Sequence, residues 1–333
     1  MIHRSSRRRF NLFLAAAGTL AVAPHVGSQT GAQAGYPTRP LRWIVPYPAG
    51  GGSDFLARTL GAQFEKQLGR PTIIENRPGA ATMLGAEAVA RAMPDGYTIG
   101  SADNGTLVFN AALYRKLPYD PAQDFANVGL MARFPLILVA NPAVGWRSAA
   151  DLVAAARAQP GKLSYASVGA GSPHHLAMEL IKQRTQIYIV HIPYRGAAPA
   201  VQDVLGNQVP MMVIDTAVGL PHIRAGKLVA LGVLSRQRLA ALPDVPTLEQ
   251  QGIKDIEVYA WQGMIVPVET PRERIMRLNA ELMKALATPD VVGKLRDFGL
   301  EPTPSTPEQM NAYVNSEITR WHALIRERRL TLE

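Results

Sequence analysis

The chain has 333 residues, of which 47% are apolar and 18% charged. That is enough apolar matter for two ordinary domains or one large one, and it excludes a disordered chain. There is no cysteine, which excludes disulfides, thiolate metal sites and thiol catalysis. The formal charge is +9, but outside Arg7-Arg8-Arg9 at the start and Arg326-Glu327-Arg328-Arg329 in the tail the basic residues are scattered, which excludes the basic footprint of a nucleic-acid binder.

The first 34 residues read as an export signal. Ser6-Arg7-Arg8-Arg9-Phe10 is a basic start, 11–23 is uncharged, and Ala32-Gln33-Ala34 is a small-residue cleavage site. The apolar stretch is too short to span a bilayer well. Paired arginines before Phe10 resemble a twin-arginine signal, and an ordinary Sec signal is the alternative. Four of the 35 basic residues and none of the 26 acidic ones lie in this segment, so its removal leaves a formal charge of +5. A mildly basic exported protein favours small acidic ligands through its overall field. No later stretch has the length and apolarity of a membrane helix.

Strand and helix patterns then alternate. Candidate strands are 41–45, 72–74, 98–102, 136–140, 163–167, 187–192, 211–215 and 229–234, with helical patterns between most of them. Leu56, Leu60, Phe64 and Leu68 recur every fourth residue along one helix face. Ser148-Ala149-Ala150-Asp151 has the form of a capping box opening a helix to Ala158. Such alternation predicts an α/β fold with mostly parallel sheets. A long strand over 257–266 follows, then three helical patterns over 272–287, 290–298 and 308–329. This helical tail is expected to return to the first lobe, with the chain crossing between lobes near 138 and 260. The domain expectation is a signal over 1–34, lobe I from 35–138 and 260–333, and lobe II from 139–259.

Two loops carry the chemistry. Pro46-Tyr47-Pro48-Ala49-Gly50-Gly51-Gly52-Ser53-Asp54 and Val168-Gly169-Ala170-Gly171-Ser172-Pro173-His174 each lie between a strand pattern and a helix pattern. A turn of this kind aims free backbone amides and a positive helix end at one point, which suits an anion. Two such turns far apart in sequence predict two lobes closing on one anion. Asp54 reads as a loop-shaping residue, or as the partner of a ligand ammonium group. Ser172 reads as a helix cap that also donates to a ligand. Further loops at strand ends are candidates for the same cleft: Asn104 and Thr106 as donors, with Asp103 beside them, Tyr194 and Gly196, and Asp215. Tyr47 is placed to close the apolar side.

Enzyme signatures do not fit. The glycine loops lack the third glycine of G-x-G-x-x-G and the Lys-Ser/Thr of a P-loop, and neither G-x-S-x-G nor H-E-x-x-H occurs. His174 and His175 are adjacent, about 100° apart on a helix, and so poorly placed to share one metal. His191 reads as a core residue, and His222 and His322 as surface. A hydrolase built from Ser172, His174 and Asp215 stays open as the lesser alternative. No metal or cofactor is expected.

Across the chain the wording resembles the substrate-binding proteins of the tripartite tricarboxylate transporter family, the Bug-type periplasmic receptors. The resemblance rests on Tyr36-Pro37-Thr38-Arg39-Pro40, Pro46 to Asp54, Glu75-Asn76-Arg77-Pro78-Gly79, Pro94-Asp95-Gly96-Tyr97, Gly171-Ser172-Pro173-His174-His175-Leu176, Pro193-Tyr194-Arg195-Gly196, Ala225-Gly226-Lys227-Leu228 and Pro243-Asp244-Val245-Pro246. It implies a two-lobed, type II periplasmic-binding-protein-like (Venus flytrap) fold with two crossover strands and a C-terminal helical tail. It further implies a non-catalytic monomer that grips an organic carboxylate between the loops at Tyr47, Gly51, Gly52, Ser53 and Asp54 and at Ala170, Gly171, Ser172 and His174. The loaded receptor would then dock on membrane permease components, or on a signalling partner if it is a sensor. The chain departs from the family wording at Ala80-Ala81-Thr82, at Asp103 and around Gln262.

Overall fold

The computed structural model describes residues 35–332, so the export segment lies outside the described residues. Its regular elements all belong to a unit beginning at Pro37. Strand β1 (Leu41–Val45) pairs in parallel with β2 (Thr72–Asn76) and β3 (Thr98–Asp103). All of β1 but Arg42 is buried, which is why it reads as a continuous apolar run. Helix α1 (Gly52–Leu68) buries Leu56, Leu60 and Phe64, and α2 (Met83–Ala90) follows β2. After β3 the chain makes a π-helical turn over Gly105–Phe109 into the short α3 (Asn110–Leu113).

Strand β4 (Phe125–Ala140) runs through both halves of the molecule. Up to Pro135 it pairs antiparallel with β9 (Tyr259–Pro267). From Leu136 its partners are β7 (Met211–Asp215) on one edge and β8 (Val229–Val233) on the other. β7 continues into a parallel set with β5 (Ser164–Ser167) and β6 (Val190–Pro193). The second crossing lies where Val258 N–H bonds the Leu234 carbonyl (2.9 Å) and β9 starts at Tyr259, opposite Pro135. Proline costs little here, because the ladder is changing partners.

The helices of the second half are α4 (Ala149–Ala158), α5 (Pro173–Thr185), α6 (Ala197–Leu205) and α7 (Thr216–Arg224). Ser148 and Asp151 form the reciprocal capping box at α4. The tail comprises α8 (Arg272–Ala287), α9 (Pro289–Asp297), the two-residue strand β10 (Glu301–Pro302) on β4, and α10 (Pro307–Glu327). Trp321 of α10 packs edge-on to Phe109, and the indoles of Trp261 and Trp321 both donate to Glu317.

Three expectations are corrected. The sheet is mixed, not mostly parallel: β4 and β9 each come from the opposite half and so run against their neighbours. The strand expected at 136–140 is the end of a strand of 16 residues. Its first part, with Asn127, Gly129 and Arg133, is masked in the sequence because register shifts at Asn127/Gly129 and Leu130/Ala132 break the alternation. β6 begins at Val190 rather than 187, since Gln186 is left-handed at the end of α5 and Ile187 N–H still bonds the Lys182 carbonyl.

Ala80, Ala81 and Thr82 all have positive φ (46°, 50° and 74°). Asn110 Nδ2 donates to the Ala81 carbonyl (2.9 Å) and Thr82 Oγ1 bonds Thr106 Oγ1 (2.9 Å), which hold the segment in place. Left-handed backbone costs an L-residue about 1–2 kcal/mol, partly offset by the greater unfolded-state freedom of glycine. Ala81→Gly should therefore stabilise the protein by about 0.5–1 kcal/mol. Denaturant unfolding measures this, and a lowered midpoint would contradict it.

Candidate binding site at the helix N-termini

Helix α1 starts from Gly51, which has no side chain to cap it. Phe55 N–H is the first to reach back, to the Gly51 carbonyl (2.9 Å). The amides of Gly52, Ser53 and Asp54 precede it and have no partner among the described residues, so the positive end of a 17-residue helix is open. Gly52 is required by packing: a Cβ there would lie 2.8 Å from the Phe134 ring. Ser53 Oγ accepts a hydrogen bond from Gln262 Nε2, which leaves its own proton for another acceptor. The remaining amide oxygen of Gln262 is buried without a partner.

Asp54 is a loop lock. It accepts from Gly50 N–H (2.9 Å), Arg58 Nε (2.9 Å) and Asn76 Nδ2 (3.0 Å). Burial alone would raise its pKa, but these donors outweigh it and hold the carboxyl below the usual carboxylate range. The Asp54 carboxylate therefore holds Gly50 to Asp54 in place, the loop-shaping role read from the sequence, and is not left open for a ligand ammonium group, while its backbone amide stays open.

The second loop is knitted from within. Ser172 Oγ donates to the Gly169 carbonyl (2.7 Å) and accepts from His175 N–H (3.2 Å), so it caps α5 but has no proton left for a ligand. The geometry thus spends the Ser172 proton inside its own loop, and Ser172 is not hydrogen-bonded to His174. Gly171 N–H donates to His175 Nδ1 (3.1 Å). His175 stacks on His191 (4.0 Å), whose Nε2 bonds Ser167 Oγ (2.6 Å). Ala170 and His174 supply amides at the loop and the first turn of α5 that have no partner among the described residues.

Other candidate donors prove to be internal fasteners. Asn104 donates from Nδ2 to the Tyr259 carbonyl (3.2 Å) and accepts from Trp261 N–H (2.9 Å). Thr106 Oγ1 and N–H both donate to Asp103 Oδ1 (2.9 and 2.8 Å), and Tyr47 OH donates to Asp103 Oδ2. Burial first, and Asp103 second, push the Tyr47 hydroxyl pKa well above its ordinary value. Asp103 is thus buried, with its carboxylate satisfied by Tyr47 and Thr106. Tyr194 OH donates to Asp203 (2.5 Å), and Gly196 N–H, at φ 110°, bonds the Val168 carbonyl (3.1 Å), which ties α6 to the second loop. His322, read as surface, is half-buried and its Nε2 bonds the Val108 carbonyl (2.9 Å).

Contacts through the tail tie the start of α1 to the start of α7. Phe298 stacks on Phe55 of α1 (4.0 Å, 9°). The next residue, Gly299, accepts from Thr216 Oγ1 (2.5 Å) at the start of α7. Gly299 has φ 86°, and a Cβ there would lie 3.1 Å from Ala217 N, so only glycine fits. Asp215, just before Thr216, caps α7 through Val218 N–H (3.1 Å), and its other oxygen lies 3.5 Å from His174 Nε2. On the other side, a Cβ on Gly171 would lie 3.0 Å from Leu113 and from Leu332. The starts of α1, α5 and α7 therefore gather round the crossing of β4. Sequence reasoning missed Phe134, Gln262, Phe298 and Gly299, and only the odd wording around Gln262 signalled any of them.

Two cavities lie apart from this cluster. One of about 330 Å³ is bounded by Arg157, Lys182, Tyr188 and Arg328, at the C-terminal ends of α4 and α5. One of about 1020 Å³ is lined by the middle of α10, with Asn311 and Asn315, and by Tyr114, Arg115 and Asp120.

Burial pushes the pKa of His175 down to about 4 and that of His191 down to about 3. Both rings are neutral in the folded protein but take protons near pH 6.5 when unfolded. The unfolded chain therefore binds more protons as pH falls below about 6.5, and stability declines with falling pH. The loss should be on the order of a few kcal/mol between pH 7 and 4. Urea unfolding across that range tests it, and a flat profile down to pH 4.5 would contradict it.

The family model described as "Tripartite tricarboxylate transporter family receptor" matches residues 56–330. Protein BugT of Bordetella pertussis is 35% identical over 317 residues, 95% of each chain. The structure of Rpa4515 from R. palustris with adipate is 33% identical, covers 88% of this chain and 98% of that one, and superposes with a TM-score of 0.83. MatC from Rhodopseudomonas palustris with bound malate is 31% identical, covers 87% of this chain and 100% of that one, with a TM-score of 0.79. With its two-lobed α/β architecture and gathered helix N-termini, the chain belongs to the tripartite tricarboxylate transporter receptor family, of the Bug type.

Proposed function

We propose that this protein is a periplasmic receptor that captures a small organic carboxylate between its two lobes and presents it to a tripartite transporter without transforming it. The observation that carries the reading is the uncapped start of α1, where the amides of Gly52, Ser53 and Asp54 and the unspent proton of Ser53 converge. A carboxylate satisfies such donors with charge-assisted bonds that strengthen as water is excluded. Two relatives of similar fold hold adipate and malate. No helix of the described residues is long and apolar enough to cross a membrane, so transport would need separate membrane components.

The lobes divide on this reading at the partner exchange of β4, near 136, and at the start of β9, near 259. Closure is driven by ligand only if the ligand touches both lobes, since equal affinity for open and closed states shifts nothing. The protein is expected to act as a monomer, because each chain carries both loops. The export segment, by the twin-arginine or the Sec route, would deliver it to the periplasm.

Ser53→Ala should weaken binding of the responsive acid by roughly 1–3 kcal/mol, about 5- to 150-fold, because a buried charge loses a donor. Ser172→Ala should instead lower thermal stability, by about 1 kcal/mol, through loss of the cap. A thermal-shift panel of mono-, di- and tricarboxylates including adipate and malate identifies the acid, and calorimetry measures both variants. Unchanged affinity for Ser53→Ala would overturn the assignment of α1 as the carboxylate seat.

A further inference from the structure

Receptor function as drawn above leaves one buried side chain unexplained. His174 is only 8% exposed, and neither ring nitrogen has a hydrogen-bond partner among the described residues. Asp215 Oδ2 lies 3.5 Å from its Nε2, too long for a good hydrogen bond and close enough for an ion pair. A neutral imidazole has one N–H and one lone pair, and leaving both buried and unpaired is costly. An imidazolium has two N–H donors, which suit two anions on opposite sides of the ring.

We propose that His174 and Asp215 form a proton-accepting pair that takes up one proton as the ligand carboxylate binds, so that the acid is held with an imidazolium between two carboxylates. The inference rests on the receptor reading and deepens it. In the free protein the ring lies in the first turn of α5, with no hydrogen-bond partner and with Asp215 Oδ2 as its charged neighbour. Asp215 favours the charge, but it also caps α7 through Val218 N–H. A ligand carboxylate brought against the ring at the first turn of α5 would tip the balance, because an opposite charge within a few ångströms favours the protonated form. The proton comes from solvent, and the pair's net charge changes from −1 to 0 as the ligand carboxylate facing the ring brings −1.

The other charged and titratable groups near this end of α5 are already committed. His175, turned about 100° away round the helix, accepts from Gly171 N–H and stacks on His191. Glu179 takes Tyr165 OH (2.9 Å), Lys182 and Arg328 (3.0 Å). Asp103 is held by Tyr47 and Thr106. Asp54 is held by Arg58, Gly50 N–H and Asn76. His174 is thus the titratable group near the gathered N-termini whose ring has no hydrogen-bond partner among the described residues, only the Asp215 carboxylate at 3.5 Å.

The test is calorimetry on the full chain without its export segment, using adipate, malate and any other acid that raises Tm in the panel. Each acid is titrated in phosphate and in Tris, whose ionisation enthalpies differ. The expected result is an uptake approaching one proton per ligand near pH 7.5, with affinity falling by up to tenfold per pH unit as pH rises to 9. His174→Gln should bind with no proton uptake and a flat pH profile, and Asp215→Asn, a second variant should the first misfold, should reduce the uptake. Wild-type binding with equal enthalpy in both buffers and a flat pH profile would overturn the proton pair while leaving the receptor reading intact. If no acid in the panel binds, the receptor reading falls and the pair falls with it.

Discussion

Strand β4 carries both halves of the sheet, and its change of partners at Pro135 and Leu136 sets the place of everything that meets there. One step before the exchange, Phe134 presses on Gly52 at the start of α1. One step after it, Leu136 lies opposite Asp215 at the end of β7. A strand crossing two sheets thus puts the open helix end of one lobe within a few residues of the capped helix ends of the other. The tail closes the circuit, with Phe298 on α1 and Gly299 on α7. That crossing brings the start of α1 and the starts of α5 and α7, more than 100 residues apart in sequence, to one region of the fold.

Most polar side chains at this meeting point spend their hydrogen bonds on one another. Asp54, Asp103, Asn104, Ser167 and Ser172 each fasten a loop to its own helix or to a neighbouring strand. The consequence is energetic. Loops already fixed by internal bonds lose little freedom on binding, so more of each amide-to-carboxylate bond appears as affinity. On the proposed reading, recognition falls to backbone amides, to the free proton of Ser53 and to the ring of His174. Backbone amides suit any carboxylate, so selection among acids is left to whatever the rest of the cleft tolerates.

Much of this was legible in the sequence where a local rule operated. The spacing of Leu56, Leu60 and Phe64 marks α1, Ser148 and Asp151 mark the start of α4, and the glycine turns mark the helix N-termini. The family wording then supplied the two-lobed architecture. What stayed hidden depends on contacts between distant segments. The first part of β4 is masked by its bulges, and the direction of β4 and β9 follows from the crossing rather than from their composition. Ser172 and Asn104 carry donor groups, but only the fold shows where those donors are spent. Gln262 and Phe298 reach the site from 209 and 243 residues beyond the loop they touch, at Ser53 and Phe55, which no spacing rule anticipates.

A crystal structure of the protein bound to the acid it retains tests the central claim most directly. The account predicts one ligand carboxylate on the amides of Gly52 to Asp54 and the hydroxyl of Ser53, with the α5 side of the cleft at Ala170 and His174 completing its shell. A carboxylate seated in the groove between α10 and Tyr114, with the α1 amides still facing water, would contradict it.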